Sequence, residues 1–174
     1  MSNINWYYDD ETGHYIAKGV RILFPNFAGE QQNFNPAGKR NFRLCMDEEL
    51  ASEMKNRGIY IRELPPREDG DETEYLMKVG VYPNSEVCLK SKKGLTQVLA
   101  DEFGLIDSEF RRGHVRNGAI DVEFHVSKNT KVSNGALYVR LDAITIPVRK
   151  NKLMEEYEES IENGESSDDD ELPF

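Results

Sequence analysis

Between Phe34 and Phe42 the chain reads Phe-Asn-Pro-Ala-Gly-Lys-Arg-Asn-Phe, two rings enclosing Lys39 and Arg40 in a stretch rich in Gly, Asn and Pro. Such a composition forms a loop or hairpin. Its rings offer flat faces on which unpaired bases can stack, and its cations can displace counterions from phosphates. The plainer alternative is that Phe34 and Phe42 pin the loop to a core while Lys39 and Arg40 stay solvated. Further cations and rings at expected outward or loop positions extend the same chemistry: Arg21, Arg43, Lys78, Tyr82, Lys92, Lys93, Arg111, Arg112, Arg116, Tyr138 and Arg140.

A second chemistry sits in Asp168-Asp169-Asp170-Glu171-Leu172-Pro173-Phe174. Four successive carboxylates repel one another and resist burial, so this segment is expected to be solvated and disordered when free. The apolar tripeptide that follows is not needed for solubility. It suits capture by a partner whose pocket takes the Phe174 ring and whose basic surface guides the acids. A tail that serves only as a solubiliser is the competing reading.

Charge is distributed in keeping with these two surfaces. The 174 residues carry a formal charge of −10, but residues 151 to 174 hold ten acids against Lys152 and leave the rest of the chain nearly neutral. Within that body, Lys39, Arg40 and Arg43 share a stretch free of acids, as do Arg111, Arg112 and Arg116. A neutral body with local basic faces and an acidic tail can screen itself, the tail occupying the groove when no polyanion is present.

Other chemistries find little support. Asp121 and Glu123 share a strand face and could hold a divalent ion, but the pair lacks a third acid or a His at a convincing distance, and exposed acids on a half-buried strand are ordinary. His14, His114 and His125 are too dispersed in the chain to suggest a metal cluster. The acidic run from Glu68 to Glu74 lacks the ligand spacing of a calcium loop. No phosphate-loop, dinucleotide or Ser-His-Asp pattern occurs. No catalytic residue, metal or cofactor is expected, and Cys45 and Cys88 read as buried reduced thiols. The absence of a signal peptide or long apolar run points to a cytoplasmic protein without a membrane partner.

The elements that must position these residues follow from periodicity. A strand is expected from Tyr15 to Phe24, with Ile16, Val20, Ile22 and Phe24 inward and Arg21 outward. After the loop come a strand at 42–46, a helix capped by Asp47 and stopped at Gly58 with Leu50 and Met54 on its apolar side, and a strand at 59–64. Strands follow at 75–82 and 86–90. Leu95, Val98, Leu99, Phe103 and Ile106 recur at helical spacing, predicting an amphipathic helix that ends near Gly104. Two long strands close the body: 120–126, and 136–148 with a bulge near Asp142-Ala143 where the inward register changes. Residues 1–14 are expected to form an aromatic-bearing arm, 15–150 the folded domain and 151–174 the tail, frayed helix first. The fold class is all-β with short helices, a closed or partly open antiparallel barrel.

Two resemblances join these observations. The acidic tip resembles the C-terminal tip of bacterial and bacteriophage single-stranded-DNA-binding proteins, with Leu172 where Ile is usual; in that family the tip recruits replication and repair proteins. The run Phe27-x-Gly29, then Phe34-Asn35-x-x-Gly38-x-Arg40-Asn41-Phe42, resembles a signature of small single-stranded-DNA-binding proteins of tailed bacteriophages, which have an oligonucleotide-binding barrel. The resemblance implies sequence-independent binding of single-stranded DNA in replication, recombination or repair within the host cytoplasm. It also implies partner capture by Asp168 to Phe174, and a homo-oligomer is possible. The rival expectation is a protein-binding adaptor or inhibitor that imitates nucleic acid; RNA as the ligand is a lesser one.

Overall fold

A computed structural model describes residues 5–30, 38–68, 70, 72–128 and 135–149. Ten strands and two helices follow in the order β1 (Asn5–Asp9), β2 (His14–Val20), β3 (Ile22–Asn26), β4 (Asn41–Met46), α1 (Glu48–Asn56), β5 (Arg62–Leu64), β6 (Glu74–Gly80), β7 (Glu86–Ser91), β8 (Gly94–Val98), α2 (Gly104–Arg111), β9 (Ile120–Lys128) and β10 (Leu137–Pro147). A short 3-10 turn, Ala100–Glu102, precedes α2. The strands form one sheet in the order β1-β2-β9-β10-β6-β4-β3, with β5 added to β6 and the β7–β8 hairpin added to β10.

Only Arg21 separates β2 from β3, yet these strands lie second and last along the sheet, so the sheet must roll back on itself. The roll does not close into a barrel, because β1 pairs only with β2 and β3 only with β4. The expectation of an antiparallel ladder needs correction at one strand: β10 runs parallel to β6 and to β7 while pairing antiparallel with β9. The bulge expected in β10 is present, between Leu141 and Ala143. It lets one strand serve β6 with its first half and β7 with its second.

The hollow of the roll holds a single core. Phe42, Leu44, Met77, Val79, Ile120, Val122, Phe124, Ile144 and Ile146 come from the strands, and Leu50 and Met54 from α1. Helix α1 forms as its sequence dictates: the Asp47 carboxylate accepts from Leu50 N at 2.8 Å, Glu48 and Glu49 lie in the first turn, and Gly58 follows the C-cap at φ 90°. Helix α2 contributes Ile106 and a buried carboxylate. Asp107 Oδ1 and Oδ2 accept from Phe27 N at 2.9 Å and Ala28 N at 3.0 Å, which ties α2 to the start of the loop between β3 and β4. Burial nevertheless raises the Asp107 carboxyl above its ordinary value, the two backbone donors opposing that shift.

Several expected elements differ. Residues 5–9, expected as an arm, are an edge strand on β2. The first long strand is two strands, and a register shift between Ala17 and Val20 flips parity: Tyr15 and Ala17 are buried where Ile16 was expected. Phe24, expected inward, is two-thirds exposed at a positive φ of 53°. Residues 59–61 precede the short β5 instead of belonging to it. The helix expected over 95–104 is β8, the 3-10 turn and only then α2. Leu95 and Leu99, which completed the helical spacing, are exposed, because the β7–β8 hairpin turns over Lys92-Lys93-Gly94 and docks on β10 through β7 alone. Cys45 is buried and Cys88 only half-buried, both as free thiols. The expected frayed helix and the tail lie outside the described residues, and no described helix is long and apolar enough to cross a membrane.

Candidate nucleic-acid interface

Alternation along β4 decides which of its side chains can meet a ligand. Phe42, Leu44 and Met46 point inward and are buried, so Arg43 points to the opposite face. On that face Arg43 lies in register with Leu23 of β3 and Lys78 of β6. Next along the sheet, Arg62 of β5 stands close enough for its charge to lower the pKa of Arg43, after desolvation, the larger cause. Lys78 is lowered first by desolvation and then by Arg43 and Lys39. Four cations therefore share a surface on which they disfavour one another's charge, and among the described residues neither Arg43 nor Lys78 has a carboxylate partner. An anion laid across this surface would relieve the repulsion.

The cationic surface runs into a groove of about 610 Å³ lined by Lys39, Arg40, Lys78, Tyr60, Tyr82, Leu137 and Tyr138. Three features build its walls. Gly80 has no side chain where the Tyr82 ring lies; a Cβ there would stand 3.2 Å from Tyr82 Cε2. Tyr82 is then held by the Arg140 guanidinium, whose Cζ is 4.0 Å from the ring centroid and whose Nη2 donates to Asn84 Oδ1 at 2.8 Å. Tyr138, two residues before Arg140 on β10, sets its ring 6.5 Å from that of Tyr82 at 46°. Opposite them, the turn after α1 carries the Ile59 N–H back to Met54 O and leaves Tyr60 83% exposed at the rim.

Arg40 enters from the loop. Its stem packs against Gly29, its guanidinium sits 5.6 Å from the Phe103 centroid, and its Nε is buried without an acceptor among the described residues. Gly29 and Gly38 close the base of this loop, the Gly38 N–H donating to Gly29 O at 2.8 Å, and both have positive φ.

The expected site residues thus divide. Lys39, Arg40, Arg43, Lys78, Tyr82, Tyr138 and Arg140 come together on one face and its groove. Phe42 does not join them: it is fully buried, stacked on Phe27 with centroids 5.5 Å apart, and presents no face to a base. Arg21 lies on the outer face beside Cys45 but is paired with Glu74. Lys92 and Lys93 occupy the β7–β8 turn; Arg111 and Arg112 end α2, and Arg116 lies in the connector to β9, so none of these five lines the groove. Phe34 and Asp168 to Phe174 lie outside the described residues. Tyr60, Arg62 and Leu137 were missed. The alternation Ile59, Tyr60, Ile61, Arg62 carried the signal for the first two, since it places a ring and a cation on the face opposite two isoleucines.

Comparison with known proteins agrees with this architecture. Residues 11–102 match a family model described as "Putative phage ssDNA-binding domain". Among solved structures, the single-stranded-DNA-binding protein of bacteriophage Enc34 in complex with ssDNA is similar at a TM-score of 0.54 and 9% identity, covering 87% of this chain and 98% of that one. Its C-terminally truncated form gives a TM-score of 0.52 at 9% identity, covering 86% and 97%. The bacteriophage T7 protein gp2.5 is more distant, at a TM-score of 0.36 and 11% identity, covering 79% and 87%. No curated protein matches the sequence.

Proposed function

Because the chain belongs to the phage single-stranded-DNA-binding domain family, a family of binding proteins and not of enzymes, we propose that the surface from Arg62 through Arg43, Lys78 and Lys39 into the Tyr60–Tyr82–Tyr138 groove is where its DNA strand lies. The observation that carries this reading is the meeting of two features: a row of mutually repelling cations, and a groove rimmed by three tyrosines. Phosphates would follow the row and release counterions from the strand. Bases would turn into the groove and stack, each contributing about 1–3 kcal/mol whatever its identity, which makes binding independent of sequence. Arg40, which also lines the groove, adds a cation to the same path. Phe34 remains a candidate for a further stacking position on the same loop.

The acidic segment from Asp168, with its Leu172-Pro173-Phe174 end, completes the proposal. It competes with DNA for the cationic surface and, once displaced, engages replication, recombination or repair proteins in the host cytoplasm. Deleting residues 166–174 is expected to strengthen binding of labelled oligo-dT at low salt in fluorescence anisotropy and to abolish capture of those partners. If truncation alters neither, the segment is only a solubiliser. The adaptor reading, which the net negative charge favours, predicts no preference for single-stranded over duplex DNA in the same assay.

A further inference from the structure

On the outer face of β2, β9 and β10, one strand over from the Arg140 that holds Tyr82, two histidines that looked dispersed in sequence stand together. The β2–β9 register, which sets Tyr15 against Phe124, brings His14 beside His125, and their rings stack with centroids 5.1 Å apart at 16°. The β10 bulge supplies the third group. Leu141 pairs with Phe124 and Ala143 with Glu123, so Asp142 is the extra residue and its carboxylate is turned toward the imidazoles. His125 Nδ1 lies 2.8 Å from Asp142 Oδ2, and His14 Nδ1 lies 3.5 Å from the same oxygen. Glu123 Oε2 approaches His14 Nδ1 to 2.6 Å. Donor atoms of His14, His125 and Asp142 all lie within 4.8 Å of one another.

We propose that His14, His125 and Asp142 form a binding site for a divalent transition metal of the zinc type, with Glu123 at its edge beside His14. Zn–N and Zn–O bonds of about 2.0–2.2 Å in a tetrahedron separate neighbouring donors by roughly 3.2–3.6 Å. The His14–Asp142 distance already falls in that range. The 2.8 Å contact between His125 and Asp142 is a hydrogen bond, and an ion entering the cluster would take the place of its proton and spread that pair by less than about 1 Å. All four side chains are only partly buried, so the ion has a path in from solvent. Two imidazoles with a carboxylate select zinc and its neighbours over magnesium or calcium, which require mainly oxygen donors. The bulge gives the arrangement its rigidity: Asp142 is held between paired residues and cannot drift along the strand.

Titration calorimetry of the full chain with ZnCl2 tests the site. One equivalent is expected to bind and to raise the melting temperature, MgCl2 is expected to do neither, and the His14→Ala, His125→Ala double variant is expected to lose at least about tenfold in affinity. Circular dichroism of the metal-free variant shows whether the sheet is kept. Should that variant not fold, Asp142→Asn at the bulge is expected to give the same loss, and Co2+ bound to the wild-type protein is expected to show the intense visible bands of a tetrahedral site. An unchanged isotherm in a folded variant, which would assign the zinc to the thiols or the acidic tail, overturns the proposal. So does a wild-type protein that takes up no zinc, or only octahedral cobalt.

Discussion

Replacing Arg43 and Lys78 together by Met removes two adjacent charges from the cationic row while keeping most of their apolar stems. Each residue assigned to a phosphate contributes about 0.7 to the slope of log K against log salt on a single strand, so the double variant should flatten the slope by about 1.4. Extrapolating that term to about 0.15 M salt gives a loss of roughly 15-fold in affinity, shrinking as salt approaches about 1 M. The fold should not suffer. Desolvation and the neighbouring cations depress Lys78 in the folded state, so the charged form is penalised on folding below that depressed pKa, and the penalty fades as pH rises toward the ordinary value of 10.5. At neutral pH the variant should therefore melt no lower than wild type. Fluorescence anisotropy with oligo-dT across a salt series, beside a thermal melt, measures both quantities. A wild-type slope in the variant, or an affinity loss that is the same at every salt concentration, refutes the assignment of these two residues to phosphates.

Other substitutions separate stacking from charge. Tyr82→Ala should weaken oligo-dT by roughly 5- to 150-fold, the equivalent of one stacking platform, and should leave the salt slope unchanged because no cation is lost; a changed slope in the same titration would show that the ring acts only by holding Arg140. Tyr15→Phe probes the core side of the sheet. The Tyr15 hydroxyl donates to Glu53 Oε2 at 2.5 Å and accepts from Arg57 Nε at 2.9 Å, and burial followed by Glu53 pushes it up to about 12. With the folded value above the unfolded value of 10.0, the stability it contributes is whole below pH 10 and is lost as pH climbs through 12. Wild type should thus lose melting temperature over this alkaline window more steeply than Tyr15→Phe; parallel melting curves would contradict this.

What could be read from the chain alone was whatever depends on neighbours in sequence. Helix α1 was legible because its cap, dipole charges and stop signal all lie within Asp47 to Gly58, and so was the β10 bulge, because the inward parity changes from Leu141 to Ile144. Parity could also have shown that Phe42 faces inward, since it shares register with Leu44 and Met46; the ring was judged by its loop neighbours instead. The spacing of Leu95, Val98 and Leu99 fits a helix and a hairpin equally well, and what decides is the parallel docking of β7 on β10, a contact no local pattern reports. The histidine pair is less legible still. It needs the β2–β9 register and the bulge residue of β10 at once, and no stretch of sequence contains both.

The central claim, that a cationic row and a tyrosine groove on β4, β5, β6 and β10 bind an unpaired strand, is tested most directly by titrating the full chain with labelled oligo-dT and with a duplex of equal length over a range of salt. The account predicts tight binding to the single strand that weakens with salt, clear discrimination against the duplex, and loss of both in a variant lacking Arg43, Lys78, Tyr82 and Tyr138. Equal affinity for the two ligands, or full binding by that variant, would contradict it.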